Sequence, residues 1–523
     1  MHRRSFLAAS AVSLALPSVA QAQSKRVLKF TPFADLAILD PLATTGYITL
    51  FHGYMVYDSL YGQTGQQFGF KCTPQMVEGH VVENDGKTWM LTLRDGLLFH
   101  NGEKVLATDC VASIKRWAVR DLFGQALMAR TDEVSAPGDK TIVFRLKQPF
   151  PLLPDALGHA SPNMCAIMPK HIAETDPFKQ ITEVIGSGPF RFKADERVPG
   201  AFFAYERFDQ YKPREDGDVS FTAGPKIVHF DRVEWHVQPD AATTAAAMQA
   251  GELDWWQNPA PDLLPLLRKH RIATPILDPT GMLVTLRPNH LYPPFDKPAF
   301  RRALLVAIDQ KEFMVATRGE DTSLWSAPVG FFPPVSPLAS DAGMSVLTGK
   351  RDYAAVRRAL EGAGYQGEKM VLLAVTESPY SGPASNVTAD VLKRVGMNVD
   401  YQAMDFGTVM KRRESSKPPG QGGWNLYCIG IPGLVCSTPA THLALLGDGS
   451  GRPNDPKMQE LREAWFNTPD LASQKKIGEQ MQLQAFENVP YYPLGLAQIP
   501  AAVRPDIAGI PEGFPLFWNV RRT

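Results

Sequence analysis

The chain has 523 residues, 44% hydrophobic and 21% charged, with 54 Lys and Arg against 54 Asp and Glu. Balanced charge excludes a polyanion-binding surface for nucleic acid or an anionic membrane. The length allows roughly three units of ~150 residues with cores that need no disulfide scaffold.

At the amino terminus, MHRRSFLAASAVSLALPSVAQAQ has a basic head, an apolar run and an A-x-A ending at Ala20 and Ala22, the pattern of an export signal cleaved after Ala22. Arg3 and Arg4 before Ser5, Phe6 and Leu7 fit the twin-arginine form; an ordinary secretory leader is the alternative. Losing both arginines leaves 52 basic residues against 54 acidic. No cysteine follows the cleavage point and no later segment has ~18 uninterrupted apolar residues, so a soluble periplasmic monomer without a lipid anchor is expected. That compartment is oxidising.

Further along, TWMLTLR alternates Trp89, Leu91 and Leu93 against Met90, Thr92 and Arg94, and TIVFRL and RVEWHVQ behave alike, which predicts strands. TDCVASIKRW places Cys110 beside Ala107 and Ile114 on one helical stripe; Cys72 and Cys165 also read as core residues. AATTAAAMQA is a helix stopped by Gly251. FRRALLVAID turns Phe300, Leu304 and Ala307 inward, and DYAAVRRALEGAG does so with Tyr353, Val356, Leu360 and Ala363. In TPDLASQKKIGEQM, Thr468 is the expected cap, with Pro469 in the first turn and Ile477 and Met481 facing inward. Mixed strands and helices on this scale predict α/β layers.

Catalytic motifs are missing. DGKT at 85–88 resembles the end of a phosphate loop, but Val81 stands where its first glycine belongs. There is no G-x-S-x-G, H-E-x-x-H or C-x-x-C, and FHNGE, with His100 and Glu103, reads as a turn rather than a metal site. Glu252 with Asp254 reads as a solvated face. No enzyme activity, cofactor or metal is expected.

Longer phrases carry a resemblance. Residues 73–117, TPQMVEGHVVENDGKTWMLTLRDGLLFHNGEKVLATDCVASIKRW, resemble the signature block of the bacterial extracellular solute-binding proteins of family 5, the dipeptide, oligopeptide and nickel-binding group. The matching positions are Leu93, Arg94, Gly96, Phe99, His100, Gly102, Ala107, Asp109 and Ser113. The likeness continues at LDP (Leu39 to Pro41), MVYDSL (Met55 to Leu60), GSGPFRF (Gly186 to Phe192), AMQAGELDWW, FRRALLVAID and YYPLG. Physically these phrases build the frame: glycines for tight bends, and Asp109 supporting the start of a helix.

The resemblance implies an α/β, two-lobed periplasmic binding protein fold of cluster C with an extra small subdomain. Lobe one would take 24–60, 181–280 and 490–523, the subdomain 61–180, and lobe two 281–489. It implies capture of a small solute or peptide-like ligand between lobes and delivery to an inner-membrane ABC permease. The alternatives are a chaperone-like or surface protein on the same fold, and an exported hydrolase.

By the same resemblance, the loop LATTGYITLFHGY reaches the cleft, with Tyr47 the expected ligand contact and Leu50 a lesser one. The uncharged stretch GGWNLYCIGIPGLVCSTPATH lines lobe two, where Trp424, Tyr427, Ile429, Ile431 and Pro432 would give apolar walls. Strand alternation nevertheless sends some of these into the core. In peptide-binding members this stretch carries an aspartate for the peptide's amino terminus, whereas no Asp or Glu occurs here between Glu414 and Asp448. A buried ammonium without a partner costs several kcal/mol, so a neutral, acidic or amine-blocked solute is expected unless another part of the chain supplies the acid. Cys428 and Cys436 are expected to form a disulfide in an oxidising compartment; metal binding with His442 and two free thiols are the other readings.

Overall fold

Alternating apolar residues organise the chain into three main sheets. The computed structural model describes residues 26–446 and 451–523, so the expected export signal with Arg3 and Arg4, and Asp448, lie outside the described residues. Among the described residues no helix is long and apolar enough to cross a membrane.

The first sheet runs in the order Ala502–Val503, Trp255–Trp256, Val27–Thr31, Arg232–His236, Phe202–Arg207, Phe190–Phe192. Its centre is parallel, with Val27–Thr31 between Arg232–His236 and Trp255–Trp256. Leu28, Phe30, Val233, Trp235 and Trp255 are fully buried, and Phe30 meets Trp235, Trp255 and Phe517 edge-on at 5.0–5.3 Å. The second sheet has the order Trp325–Ser326, Tyr492–Ala497, Met282–Pro288, Leu426–Pro432, Lys369–Val375, Asn398–Met404. Met282–Pro288 is antiparallel to both neighbours. A third, four-stranded sheet (Val77–Glu83, Thr88–Leu93, Thr141–Leu146, Thr131–Ser135) forms the subdomain, with Trp89, Leu91 and Leu93 on its buried face.

Two chain crossings join the lobes. One leaves Trp255–Trp256 and enters Met282–Pro288, and the other leaves Tyr492–Ala497 and enters Ala502–Val503. They lie side by side, bridged at Ile276 with Pro500 and Ala273 with Val503. Residues 492–497 therefore belong to the second sheet rather than to lobe one, because their partner strand is Met282–Pro288. Similarly, Ala160, Met164, Ala166, Met168 and Ile172, expected in the subdomain, pack into the lobe-one core.

Local rules account for most elements. Helix Ala107–Arg120 buries Ala107, Cys110, Ile114 and Trp117, and the Asp109 carboxylate accepts from Leu106 N at 2.8 Å. Helix Ala241–Ala250 is capped by Asp240 and ends at Gly251 with φ 77°. The helix expected to start at Thr468 begins at Leu471 instead, because the Asp470 carboxylate accepts from Ser473 N at 2.8 Å.

Subdomain and lobe one are tied by buried charge. Asp40 of lobe one pairs with Arg116 of the subdomain at 2.7 Å; within lobe one, Asp58 pairs with Lys226 at 2.7 Å and accepts from Tyr211 at 2.9 Å. At Gly186 an added Cβ would stand 2.0 Å from Val56 O, so this passage between units admits only glycine without rearrangement.

Candidate functional site

The site is built where the crossings meet a turn of each lobe. From lobe two, strand Leu426–Pro432 is buried over its first three residues and half-buried from Ile429 onward. It runs into the turn Gly433–Cys436, whose Gly433 N donates to Gly281 O at 2.7 Å. A Cβ on Gly433 would lie 1.9 Å from Thr280 O. Leu434 then enters the lobe-one core, so this turn closes the seam between lobes.

From lobe one, Tyr47 opens helix Tyr47–Val56. Its half-buried ring meets Phe51 edge-on at 6.1 Å, and Phe51 stacks on Phe514 at 5.6 Å. The Tyr47 hydroxyl is buried and makes no hydrogen bond among the described residues. Burial, then the Asp278 carboxylate and the Cys436 thiol, push its pKa well up.

Asp278 sits in the crossing itself. One carboxylate oxygen accepts from Thr280 N at 2.9 Å and Thr280 Oγ1 at 2.6 Å. Burial raises its pKa, outweighing the Thr280 hydrogen bonds that lower it, and nearby Glu512 raises it further. Gly513 N donates to Leu277 O at 2.7 Å, which fixes Glu512 beside the crossing, where its carboxylate accepts from Gln66 N at 2.8 Å. Among the described residues neither carboxylate makes a salt bridge. At the other crossing, the Gln498 side-chain amide donates to Pro279 O at 3.4 Å, and the Gln498 main-chain carbonyl accepts from Arg318 at 2.7 Å. The Arg318 guanidinium lies 5.6 Å over the Tyr380 ring. A Cβ on Gly430 would be 3.6 Å from Tyr380 Cβ, so Tyr380 borders the half-buried end of the lobe-two strand.

Of the residues singled out by sequence, Tyr47, Ile431 and Pro432 are half-buried near this seam; Ile429 is half-buried too, but packs against the cluster that holds Trp424 and Tyr427. The other three lie elsewhere. Leu50 is fully buried in the lobe-one core. Trp424 and Tyr427 are fully buried against Val371, Leu373 and Val409, where Trp424 Nε1 donates to Arg413 O at 2.9 Å. Cys428 and Cys436 are free thiols, so the expected disulfide is corrected. Cys428 points to Thr388 on helix Ser381–Arg394, Sγ to Oγ1 3.3 Å, while Cys436 faces Tyr47, Tyr491 and Arg287. Burial pushes the Cys428 thiol up to about 11. His442 is also internal: its Nε2 lies 2.8 Å from Phe331 O, and burial lowers its pKa to about 4. Among the described residues no group of three or more His, Cys, Asp or Glu could hold a metal.

Sequence reading missed Asp278, Glu512, Leu434 and Tyr380. Asp278 lies in DPTG, which reads as a turn, and only the neighbouring crossing shows that the turn is internal.

Comparison with known proteins agrees with this architecture. A relative from Sinorhizobium fredii (strain NBRC 101917 / NGR234), "Probable peptide ABC transporter periplasmic-binding protein y4tO", is 34% identical over 525 residues, covering 98% of this chain and 97% of its own. The dipeptide binding protein from Pseudoalteromonas sp. SM9913, solved with Met-Leu, superposes with a TM-score of 0.77 at 18% identity, covering 95% of this chain and 100% of that one. DppA from Helicobacter pylori, solved with the peptide STSA, does so with a TM-score of 0.77 at 20% identity, covering 96% and 99%. These structural likenesses establish the two-lobed fold. The description "Bacterial extracellular solute-binding proteins, family 5 Middle" matches residues 71–427, and the chain belongs to that family.

Proposed function

We propose that this protein is the periplasmic, monomeric ligand-capturing component of a peptide-type ABC importer, and that its ligand is a short peptide or peptide-like solute carrying a cationic group. The near full-length likeness to a protein named as a peptide ABC transporter periplasmic-binding protein supports the transport class. The ligand class rests on one observation: the half-buried Asp278 carboxylate, with Glu512 close by and no cationic partner among the described residues, lies near the buried Tyr47 hydroxyl, which makes no hydrogen bond among them, at the seam between lobes.

A desolvated carboxylate is costly unless paired. An ammonium or guanidinium placed at Asp278 supplies that pair, and the Tyr47 hydroxyl gains a partner on the same ligand. The lobe-two stretch has no acid of its own between Glu414 and Asp448, which alone would favour a neutral, acidic or amine-blocked solute. Asp278 and Glu512 reverse that preference, since they bring acid from the crossing and the carboxyl-terminal segment. Half-buried Ile431 and Pro432 supply apolar contact on the lobe-two side. Closure follows from the ligand's greater affinity for the joined lobes. The protein holds its ligand and transfers it without chemistry.

Native mass spectrometry of protein from its own host, followed by calorimetry against free di- and tripeptides, their N-acetylated forms, lysine- and arginine-containing peptides and organic acids, tests this. Tight binding of a cationic member, lost on acetylation or charge removal, is expected. Preference for an organic acid would overturn the ligand class, and no retained or bound solute in any arm would overturn capture itself.

A further inference from the structure

We propose that the subdomain and lobe two form an aromatic clasp, outside the ligand site, that holds the lobes closed without ligand and so sets the affinity for whatever is captured. The subdomain's side is helix Leu122–Arg130 with Phe150. Lobe two's side is helix Pro456–Phe466. Phe123 lies 5.5 Å from Phe466 and 6.3 Å from Trp465, and Phe150 lies 6.1 Å from Phe466. The Arg130 guanidinium sits over both Phe150 and Phe466, at 5.3 and 5.2 Å, and pairs with Glu463. All four rings are at most 6% exposed.

The two faces of the subdomain differ in kind. Toward lobe one it is held by the Asp40–Arg116 pair, whose side chains are at most 1% exposed, and by buried hydrogen bonds from Gln63 N to Thr222 Oγ1 at 2.8 Å and from Gln75 Nε2 to Gly224 O at 3.3 Å. Parting those would strand buried charges, so subdomain and lobe one move as one body. Toward lobe two, among the described residues, the only side-chain hydrogen bond is Arg130 to Glu463, whose side chain is 58% exposed. The rest is ring against ring, and a crevice of about 570 Å³ lined by Trp89, Pro149, Phe150 and Pro469 opens the contact to water at its rim. Non-directional apolar surfaces part and rejoin without leaving an unsatisfied polar group. This face is therefore the joint that separates on opening, and its aromatic burial favours the closed state whether or not the seam is filled. Apparent affinity scales with the fraction already competent to bind, so residues that never touch ligand govern it.

Small-angle scattering on mature protein stripped of ligand by unfolding and refolding, with native mass spectrometry verifying emptiness, tests the clasp without knowledge of the ligand. Its outcome is thus independent of the ligand class proposed above. The wild type is expected to remain compact, Phe466→Ala to shift the open-to-closed ratio by tenfold or more, and Glu463→Lys to shift it several-fold. Phe466 is core-like and its variant could unfold; Glu463 is an exposed position where charge reversal opposes Arg130 at small folding cost. An empty wild type that is already expanded overturns the proposal. So does a folded Glu463→Lys protein as compact as the wild type.

Discussion

Replacing Asp278 by Asn should move stability and binding in opposite directions. Asn keeps an oxygen for Thr280 N and Thr280 Oγ1, which now hold one carboxylate oxygen at 2.9 and 2.6 Å, so the local turn survives and the charge alone is removed. In the empty protein that charge is unfavourable, because burial and Glu512 raise the Asp278 pKa above its ordinary value of 3.8. A folded pKa above the unfolded one means that the native state binds more protons, so wild-type stability from this group rises as pH falls through the folded pKa. Asp278→Asn should accordingly be the more stable protein at neutral pH, with the advantage shrinking on acidification and gone below about pH 3.9, where the unfolded carboxyl is also neutral. Binding goes the other way. A charge-assisted hydrogen bond to a buried group contributes about 1.5–3 kcal/mol, which is roughly ten- to hundredfold in Kd. Urea denaturation from pH 3.5 to 7.5 and calorimetry with a lysine-containing dipeptide read the two effects. A variant less stable than wild type at pH 7, or one binding that peptide as well as wild type, would refute the reasoning.

Tyr47→Phe removes a buried hydroxyl that has no hydrogen bond among the described residues; empty-state stability should hold or rise slightly, and affinity for an amine-bearing peptide should fall by ~1 kcal/mol, read by melting curves and calorimetry. Lys226→Met strands Asp58, whose side chain is 2% exposed, and should cost about 3–5 kcal/mol in urea unfolding, much of it recovered in the Asp58→Asn/Lys226→Met double variant. Gly433→Ala places a Cβ 1.9 Å from Thr280 O, so the lobe-two turn must lift off the crossing. Its expected effects are about 1–3 kcal/mol of destabilisation, a larger radius of gyration and weaker binding. All five cysteines are free, so dithiothreitol should leave the unfolding midpoint unchanged, and a thiol reagent should count five groups in denatured mature protein.

Several features follow from short-range physics and were legible in the chain. Period-two alternation in TWMLTLR and TIVFRL faces the same residues inward that the subdomain sheet buries, and Gly251 ends its helix at φ 77° because that backbone region suits a residue without Cβ. Asp470 displaced Thr468 as a cap by only two positions, since either oxygen can accept a first-turn N–H. The ordered phrases likewise point to the family and its two lobes.

What lies at the seam was decided by tertiary structure. In GGWNLYCIGIPGLVCSTPATH, alternation separates Tyr427 and Ile429 from Cys428, but it does not say what covers each face; a helix covers Cys428, and a second core encloses Trp424 and Tyr427. Tyr492–Ala497 joined the second sheet because a strand is placed by its hydrogen-bonded partners, which lie far away in sequence. Asp278 and Glu512, two carboxylates from segments far apart in the chain, are brought near each other when Gly513 N meets Leu277 O. Charge at a site between lobes is a sum over segments remote in the chain, so only the packed molecule determines it.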